Sequence, residues 1–200
     1  MLVSHLKKIA VTGGLSCGKS TVCRIFKELG AYVVSADEVV HQLLSSPSVL
    51  SRQVVDLFGS DIIVNGQIDR SKIAKIAFRQ ATSLKSLEEL LHPAVRDEIE
   101  MQYQLAASNP KYPLFIAEIP LLFETGAEKF YDATIAVVAQ RDPCIQRFVK
   151  STGQSKTEFD RRMARQLSQE EKAARANYVI VNDSNLTDLH SAVCDLFEKL

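Results

Sequence analysis

Short apolar runs alternate with amphipathic stretches along this chain, which is the pattern of an α/β protein whose strands are joined by helices. Apolar residues at helical spacing predict a helix over 19–29, which ends at Gly30, and a C-terminal helix whose stripe begins at Leu186. The apolar runs predict five buried strands, at 7–12, 31–35, 112–119, 133–139 and 178–181.

The stretch between the second and third runs contains no strand of comparable strength. Helical spacing over Val49–Phe58 stops at Gly59. The run Ile62–Val64, followed by Asn65-Gly66, predicts a brief extended piece and a tight turn. This part of the chain is therefore expected to be mostly helical.

Two further segments of the same stretch, 69–79 and 83–107, have helical patterns. The second is expected to be interrupted at His92-Pro93, because proline lacks an N–H and restricts the residue before it. We expect residues 38–110 to form a helical insertion that binds the second substrate, with simple cover for the sheet as the alternative.

Cationic residues are concentrated near the end of the chain. Two helices are predicted after the fourth strand, at roughly 143–150 and 156–167. The segment 141–175 has nine Lys and Arg against five Asp and Glu, a net charge of +4. We expect a lid that faces phosphate groups, with a solvated surface as the alternative. The core would then comprise 1–37, 111–140 and 176–200.

The composition is that of a globular protein, with 46% hydrophobic and 24% charged residues. The 24 basic and 24 acidic side chains balance, so no overall field directs the chain to nucleic acid or membrane. The four cysteines are scattered, which argues against a disulfide framework or a zinc site. With no apolar run long enough to span a bilayer, no signal peptide and no evident obligate protein partner, we expect a cytoplasmic protein.

The loop after the first strand carries the clearest chemistry. It fits G-x-x-x-x-G-K-[ST] between a strand and a helix, the context in which this pattern binds phosphates. Glycines let backbone N–H groups surround phosphate oxygens, and the helix directs its positive dipole end to the same place. The predicted nucleoside triphosphate site consists of Gly14, Leu15, Ser16, Cys17, Gly18, Lys19, Ser20 and Thr21.

Three side chains near this loop have expected roles of their own. Lys19 supplies a mobile charge for the outer phosphates, and the Ser20 hydroxyl can ligate Mg²⁺. Cys17, at a helix N-terminus, has either an increased thiolate character or the role of a small buried filler.

Asp37 follows the second predicted strand. Ligands of open parallel sheets bind beyond the carboxyl ends of the strands, so we expect Asp37 to share one rim with the phosphate loop. A compatible structural role is the N-cap of a helix over Glu38–Leu44.

Several motifs in chain order resemble one family, the dephospho-coenzyme A kinases. The loop reads T-G-G-L-S-C-G-K-S-T, and Ser35-Ala36-Asp37 is similar to the family's D-A-D. The resemblance covers nearly the whole chain. It continues through Asp69–Ile73, Leu91-His92-Pro93, Pro120–Glu124, Gln146-Arg147, Arg162–Gln166, Glu170–Lys172 and Ala176–Asn182.

The resemblance implies a three-layer P-loop NTPase fold with a five-stranded parallel sheet, flanked by helices. It implies ATP and Mg²⁺ as co-substrate and metal, and transfer of phosphate to the ribose 3′-hydroxyl of dephospho-coenzyme A. Asp37 would accept the hydrogen bond of that hydroxyl and take its proton, while Lys19 follows the transferring group. Arg147 and Arg162 would close with the lid over the phosphates.

The remaining implied contacts are less specific. Asn182 would lie at the ATP site, and Leu121 and Glu124 at the acceptor site. His92 would either hold the acceptor or merely begin a helix with Pro93. The chain departs from the family pattern at Ser16 and Cys17 in the loop and at three other positions, namely Ser35, Glu118 and Ser151.

Two other functions compete with this hypothesis. One is a kinase of another nucleoside or nucleotide on the same scaffold. The other is a regulatory GTP-binding switch, since Asp56–Gly59 fits D-x-x-G. That motif is expected to close a helix instead of following a strand, and no N-K-x-D element occurs in the sequence.

Overall fold

A computed structural model of the chain describes residues 5–77 and 81–200. The strands, in chain order, are β1 (Lys7–Gly13), β2 (Tyr32–Ser35), β3 (Ile63–Val64), β4 (Gln67–Ile68), β5 (Leu114–Glu118), β6 (Ala133–Val138) and β7 (Tyr178–Val181). The helices are α1 (Lys19–Glu28), α2 (Ala36–Ser45), α3 (Val49–Phe58), α4 (Arg70–Ala77), α5 (Ala81–Ala107), α6 (Arg141–Thr152), α7 (Lys156–Met163), α8 (Gln169–Arg175) and α9 (Leu186–Phe197).

The chain divides into two compact units. One contains the chain up to Ser35 and from Tyr103 to Leu200, and the other contains Ala36–Gln102. Among the described helices, none is long and apolar enough to cross a membrane.

The first unit is built on a parallel sheet with the strand order β2-β5-β1-β6-β7. Helices flank the sheet, as the resemblance implied. β1 lies at the centre, and six of its seven residues are buried. A parallel strand covered on both faces reads as a continuous apolar run, which is why the sequence pattern located it. The predicted α/β fold is confirmed.

The larger core lies on one face of this sheet. Alternate strand residues there pack against α1 and α9, because side chains of a strand point to opposite faces with a period of two. This cluster includes Ile9, Val11, Ile116, Ile135, Val137, Val22, Ile25, Phe26, Leu189 and Val193. A smaller cluster that contains Ala10 and Leu122 covers the other face.

The cationic segment contains three helices, α6, α7 and α8, so the expectation of two helices is wrong. The second predicted helix ends at Met163, and α8 begins after Ser168. Ser168 and Glu171 form a capping box, with each side chain bonded to the backbone N–H of the other residue. The spacing of Ser168 and Glu171 is the signal in the sequence that identifies the start of this helix.

The second unit begins with α2. Because this helix starts at Ala36, Asp37 lies in its first turn and is not the N-cap. The predicted tight turn joins β3 to β4 in an antiparallel hairpin. Both turn residues have positive φ angles, 51° at Asn65 and 78° at Gly66, as a two-residue hairpin of the primed type requires.

The longest helix of this unit passes through a proline. α5 runs without interruption across Pro93, so the expected break at His92-Pro93 is wrong, and His92 does not begin a helix. Proline removes one helical hydrogen bond, and apolar packing on the same helix offsets that loss. Leu87 and Leu91 pack against the cluster formed by Leu44, Val54, Ile62 and Ile73.

The other boundaries in this unit agree closely with the prediction. α3 covers Val49–Phe58, begins at a Ser48 capping box and ends at Gly59, whose φ is 84°. The motif Asp56–Gly59 therefore closes a helix, as expected. The helix predicted at 69–79 begins at Arg70, and its last two predicted residues lie outside the described residues.

Candidate active site

The loop between β1 and α1 lies against neighbouring chain segments at its glycines. Gly13 and Gly18 have φ angles of +149° and +103°, which side-chain-bearing residues rarely adopt. A Cβ at Gly18 would lie 2.1 Å from Nδ2 of Asn182, and a Cβ at Gly13 would lie 2.2 Å from the carbonyl oxygen of Val137. Only glycine fits at these two positions.

Lys19 is held inside this loop. Its side chain comes from the first turn of α1 and is buried. The Nζ atom donates hydrogen bonds to the carbonyl oxygens of Gly14, at 2.9 Å, and of Gly13, at 3.3 Å. The ammonium group is therefore held within the loop by two backbone carbonyl oxygens, and its contact with phosphate stays a prediction.

Ser20 contacts an acidic residue that lies outside the loop motif and was not among the predicted site residues. Its hydroxyl donates to Oε1 of Glu118 at 2.9 Å. Glu118 is the last residue of β5, is buried, and pairs in register with Val11 on one side and with Ser35 on the other. An acidic residue that ends an otherwise apolar strand at the carboxyl rim was the signal that could have identified it.

Asn182 and Arg147 lie beside the loop and are linked to it by hydrogen bonds. Nδ2 of Asn182 donates to the carbonyl oxygen of Cys17 at 2.8 Å, and Nη2 of Arg147 donates to the carbonyl oxygen of Asn182 at 3.3 Å. Nη1 of Arg147 is buried and has no hydrogen-bonding partner within the described part of the chain. A buried guanidinium donor beside a phosphate loop fits an anionic oxygen.

The Cys17 side chain is fully buried. Burial raises the pKa of its thiol above the usual value, although the charge of Lys19 opposes this effect. Of the two alternatives for Cys17, the small buried filler is therefore the one that agrees with its burial.

The predicted lid is held by ion pairs among its own residues. Arg162 donates to Glu158 at 2.9 Å and to Gln154 at 2.8 Å, and Arg161 contacts the same glutamate. Hydrogen bonds from these two guanidinium groups lower the pKa of Glu158 to about 2. Arg141 and Lys156 both pair with Asp160. These contacts involve four of the nine cationic side chains of the segment, and a phosphate-facing role for Arg162 stays a prediction.

Glu124 takes part in a buried ion pair. Its Oε1 accepts hydrogen bonds from Nζ of Lys172 and from the backbone N–H of Leu167, both at 2.9 Å. Its Oε2 is buried and has no hydrogen-bonding partner among the described residues. The neighbouring Leu121 is half-buried, and its carbonyl oxygen accepts from Thr125. Lys172 was noted in the sequence only as part of a family motif.

Asp37 and His92 belong to the second unit. Asp37 is exposed in the first turn of α2, and His92 is exposed on α5. Their contacts with substrates stay predictions. In the first unit, the predicted residues Lys19 and Ser20 belong to the loop and the start of α1, and Asn182 and Arg147 lie beside the loop.

A phosphate loop at the carboxyl edge of a parallel sheet, with its lysine inside and a hydroxyl–carboxylate pair beside it, defines the class of P-loop nucleotide-binding proteins. Within that class, the family model described as dephospho-CoA kinase matches residues 7–188. The chain belongs to the dephospho-CoA kinase family.

Relatives agree with this assignment over nearly the full length. The chain is 53% identical over 196 residues to a dephospho-CoA kinase from Protochlamydia amoebophila (strain UWE25), covering 98% of this chain and 97% of the relative. A crystal structure from Thermus thermophilus has a TM-score of 0.83 at 31% identity, covering 98% and 99% of the two chains. A dephospho-CoA kinase structure from Campylobacter jejuni has a TM-score of 0.71 at 26% identity, covering 96% and 95%.

Proposed function

We propose that this chain transfers the γ-phosphate of ATP to the ribose 3′-hydroxyl of dephospho-CoA and so forms coenzyme A, the last step of coenzyme A biosynthesis. The observation that carries the proposal is the phosphate loop, with Lys19 inside it and Ser20 bonded to Glu118, in a member of the dephospho-CoA kinase family. Catalysis of phosphoryl transfer depends mostly on positioning and charge stabilisation, and these residues supply both.

The ATP triphosphate would lie in the loop formed by Gly14–Thr21. Lys19 would shift from its loop carbonyls to the outer phosphates, since an ammonium group is a mobile point charge. Arg147 would use its buried Nη1 to bind a phosphate oxygen, while Asn182 keeps the loop in place through the carbonyl oxygen of Cys17. Arg162 would join from the lid on closure.

The oxygen donors beside the loop fit Mg²⁺. Magnesium takes few protein ligands and completes its shell with water and substrate phosphates. No cluster of three or more His, Cys, Asp or Glu is found among the described residues. The Ser20 hydroxyl would ligate the ion and the Glu118 carboxylate would orient its shell. When bound, Mg²⁺ supplies positive charge to the reacting phosphates.

The acceptor would be activated by Asp37. This carboxylate follows Ser35 by two residues, and Ser35 pairs with Glu118 at the end of β5. Asp37 would accept a hydrogen bond from the 3′-hydroxyl and remove its proton as transfer proceeds. His92, Leu121 and Glu124 would contact the rest of the acceptor, with Oε2 of Glu124 as one available hydrogen-bond acceptor.

We place the enzyme in the cytoplasm, with small-molecule substrates and no nucleic acid, membrane or obligate protein partner. All four cysteines are free thiols, which suits a reducing compartment.

The direct test is product formation. The purified chain is incubated with ATP, Mg²⁺ and dephospho-CoA, and the products are identified by mass spectrometry. The expected result is coenzyme A and ADP in equal amounts. Nucleoside monophosphates and GTP serve as controls for the two competing functions. Transfer to a nucleoside monophosphate but not to dephospho-CoA, or GTP binding without transfer, would overturn the proposal.

A further inference from the structure

Lys172 is a charged side chain whose position needs an explanation. It lies on α8 and is fully buried, with 0% of its side chain exposed. Its Nζ donates to the carbonyl oxygen of Pro120 at 2.7 Å and lies 2.9 Å from Oε1 of Glu124. Burying an ammonium group is costly, and packing alone would be served equally well by apolar residues of similar volume.

The carbonyl oxygen of Pro120 is a point where three segments meet. It accepts one hydrogen bond from Lys172 and another, at 3.2 Å, from Oγ1 of Thr12 on β1. The preceding residue, Ile119, donates its N–H to the carbonyl oxygen of Val11 at 2.8 Å. The two residues after Glu118 are therefore held between β1 and α8.

Helix α8 is itself fixed next to the phosphate loop. Gln169, in its first turn, bonds to both backbone groups of Ala139, accepting from N at 2.8 Å and donating to O at 3.0 Å. A Cβ at Gly14 would lie 2.9 Å from Cγ of Gln169. Burial lowers the pKa of Lys172, and the charge of Lys19 acts in the same direction, whereas Glu124 opposes both.

We propose that Lys172 is a positioning residue for the magnesium end of the site. By holding Pro120, it fixes the end of β5 so that the Glu118 carboxylate stays in contact with the Ser20 hydroxyl. This inference rests on the proposed function, because it assigns Ser20 and Glu118 to Mg²⁺. It predicts that loss of the ammonium group reduces the increase in nucleotide affinity that Mg²⁺ causes. The nucleotide affinity measured without Mg²⁺ should change much less.

The experiment measures equilibrium binding of a fluorescent ADP analogue with and without Mg²⁺. The dissociation constant without Mg²⁺ divided by the dissociation constant with Mg²⁺ gives the increase in affinity that Mg²⁺ causes. We expect Lys172→Met to reduce this ratio by about tenfold, the size of effect seen when outer-shell partners of a metal are removed. Binding without Mg²⁺ should change by less than about twofold, because the loop and Lys19 are intact. Lys129→Met, at an exposed lysine, is the matched control and should leave the ratio unchanged.

A second variant separates positioning from folding. Lys172→Met leaves the Glu124 carboxylate buried without its cation, which can unfold the protein. Lys172→Met/Glu124→Gln removes that charge and keeps an acceptor for Leu167, so it should recover stability and still show the reduced ratio. An unchanged ratio in a folded Lys172 variant would overturn the inference, as would an absence of Mg²⁺ tightening in the wild type.

The assay distinguishes this inference from the proposed function. A wild-type chain that makes coenzyme A, with a ratio unaffected by Lys172→Met, contradicts only the role of Lys172. A chain that makes no coenzyme A, with a ratio that falls in the variant, contradicts only the identity of the acceptor.

Discussion

Replacement of Gly18 by alanine tests the geometry of the phosphate loop most directly. Gly18 has a φ of +103°, and a Cβ there would lie 2.1 Å from Nδ2 of Asn182. Asn182 would have to move, and its hydrogen bond to the carbonyl oxygen of Cys17 would be lost. Gly30 has a similar φ of +97°, but nothing lies within 4 Å of the position of its Cβ. The pair of variants therefore isolates the steric contact from the backbone strain.

The magnitudes follow from these two contributions. A left-handed conformation costs a side-chain-bearing residue roughly 1–2 kcal/mol, which both variants should show. Leaving a buried polar group unsatisfied costs about 1–3 kcal/mol more, which only Gly18→Ala should show. We expect the free energy of unfolding to fall by about 1–2 kcal/mol for Gly30→Ala and by about 2–5 kcal/mol for Gly18→Ala.

Urea unfolding followed by circular dichroism gives both values, and titration with ATP gives the dissociation constants. Gly18→Ala should also weaken ATP binding, because a displaced Asn182 no longer holds the loop through the carbonyl oxygen of Cys17. Gly30→Ala should leave ATP binding unchanged. Equal loss of stability in the two variants, with equal ATP affinity, would refute the reasoning.

Three further predictions concern single side chains. Asp37→Asn should lower kcat by about 10²–10⁴-fold with little change in the KM for ATP, because it removes a general base and keeps the shape; near-normal turnover in steady-state kinetics would exclude that role. Glu158 should titrate near pH 2 in carboxyl-carbon NMR. Because the folded state lowers the pKa of Glu158, its carboxylate stabilises α7 fully above the ordinary pKa of 4.5, and this stabilisation is lost as the pH falls toward 2. A titration midpoint near 4.5 would count against the contacts of Glu158 with Arg161 and Arg162. Cys17 should react slowly with a thiol reagent at neutral pH, because burial raises its pKa; rapid labelling of the folded protein, located by mass spectrometry, would contradict this.

Local elements of this protein could be predicted closely because their signals are local. The bounds of β7 at Tyr178–Val181 and of α3 at Val49–Phe58 agree with the prediction. The phosphate loop, with Lys19 inside it, was identified from residue spacing, since its function depends on consecutive backbone groups and one helix start.

Predictions failed where tertiary packing overrode a local rule. Proline is expected to break a helix, yet α5 continues through Pro93 because Leu87 and Leu91 are packed on the same helix. Helix α8 has only seven residues, too few to show a clear apolar period, so its capping box was the only local signal. For Cys17, the position at a helix N-terminus could not decide between a thiolate and a buried filler, because the burial that raises its pKa is a tertiary property.

The sequence by itself determined most of the strands and helices, the loop motif after β1 and the family to which the chain belongs. Only the tertiary structure decided the strand order, the contact between Ser20 and Glu118, and the burial of Lys172 against Pro120. The physical reason is distance along the chain. Ser20 and Glu118 are 98 residues apart, and Lys172 and Pro120 are 52 apart, so no local pattern contains these pairs. They form only because β1 and β5 are neighbours in the sheet and α8 packs against β1 and β6.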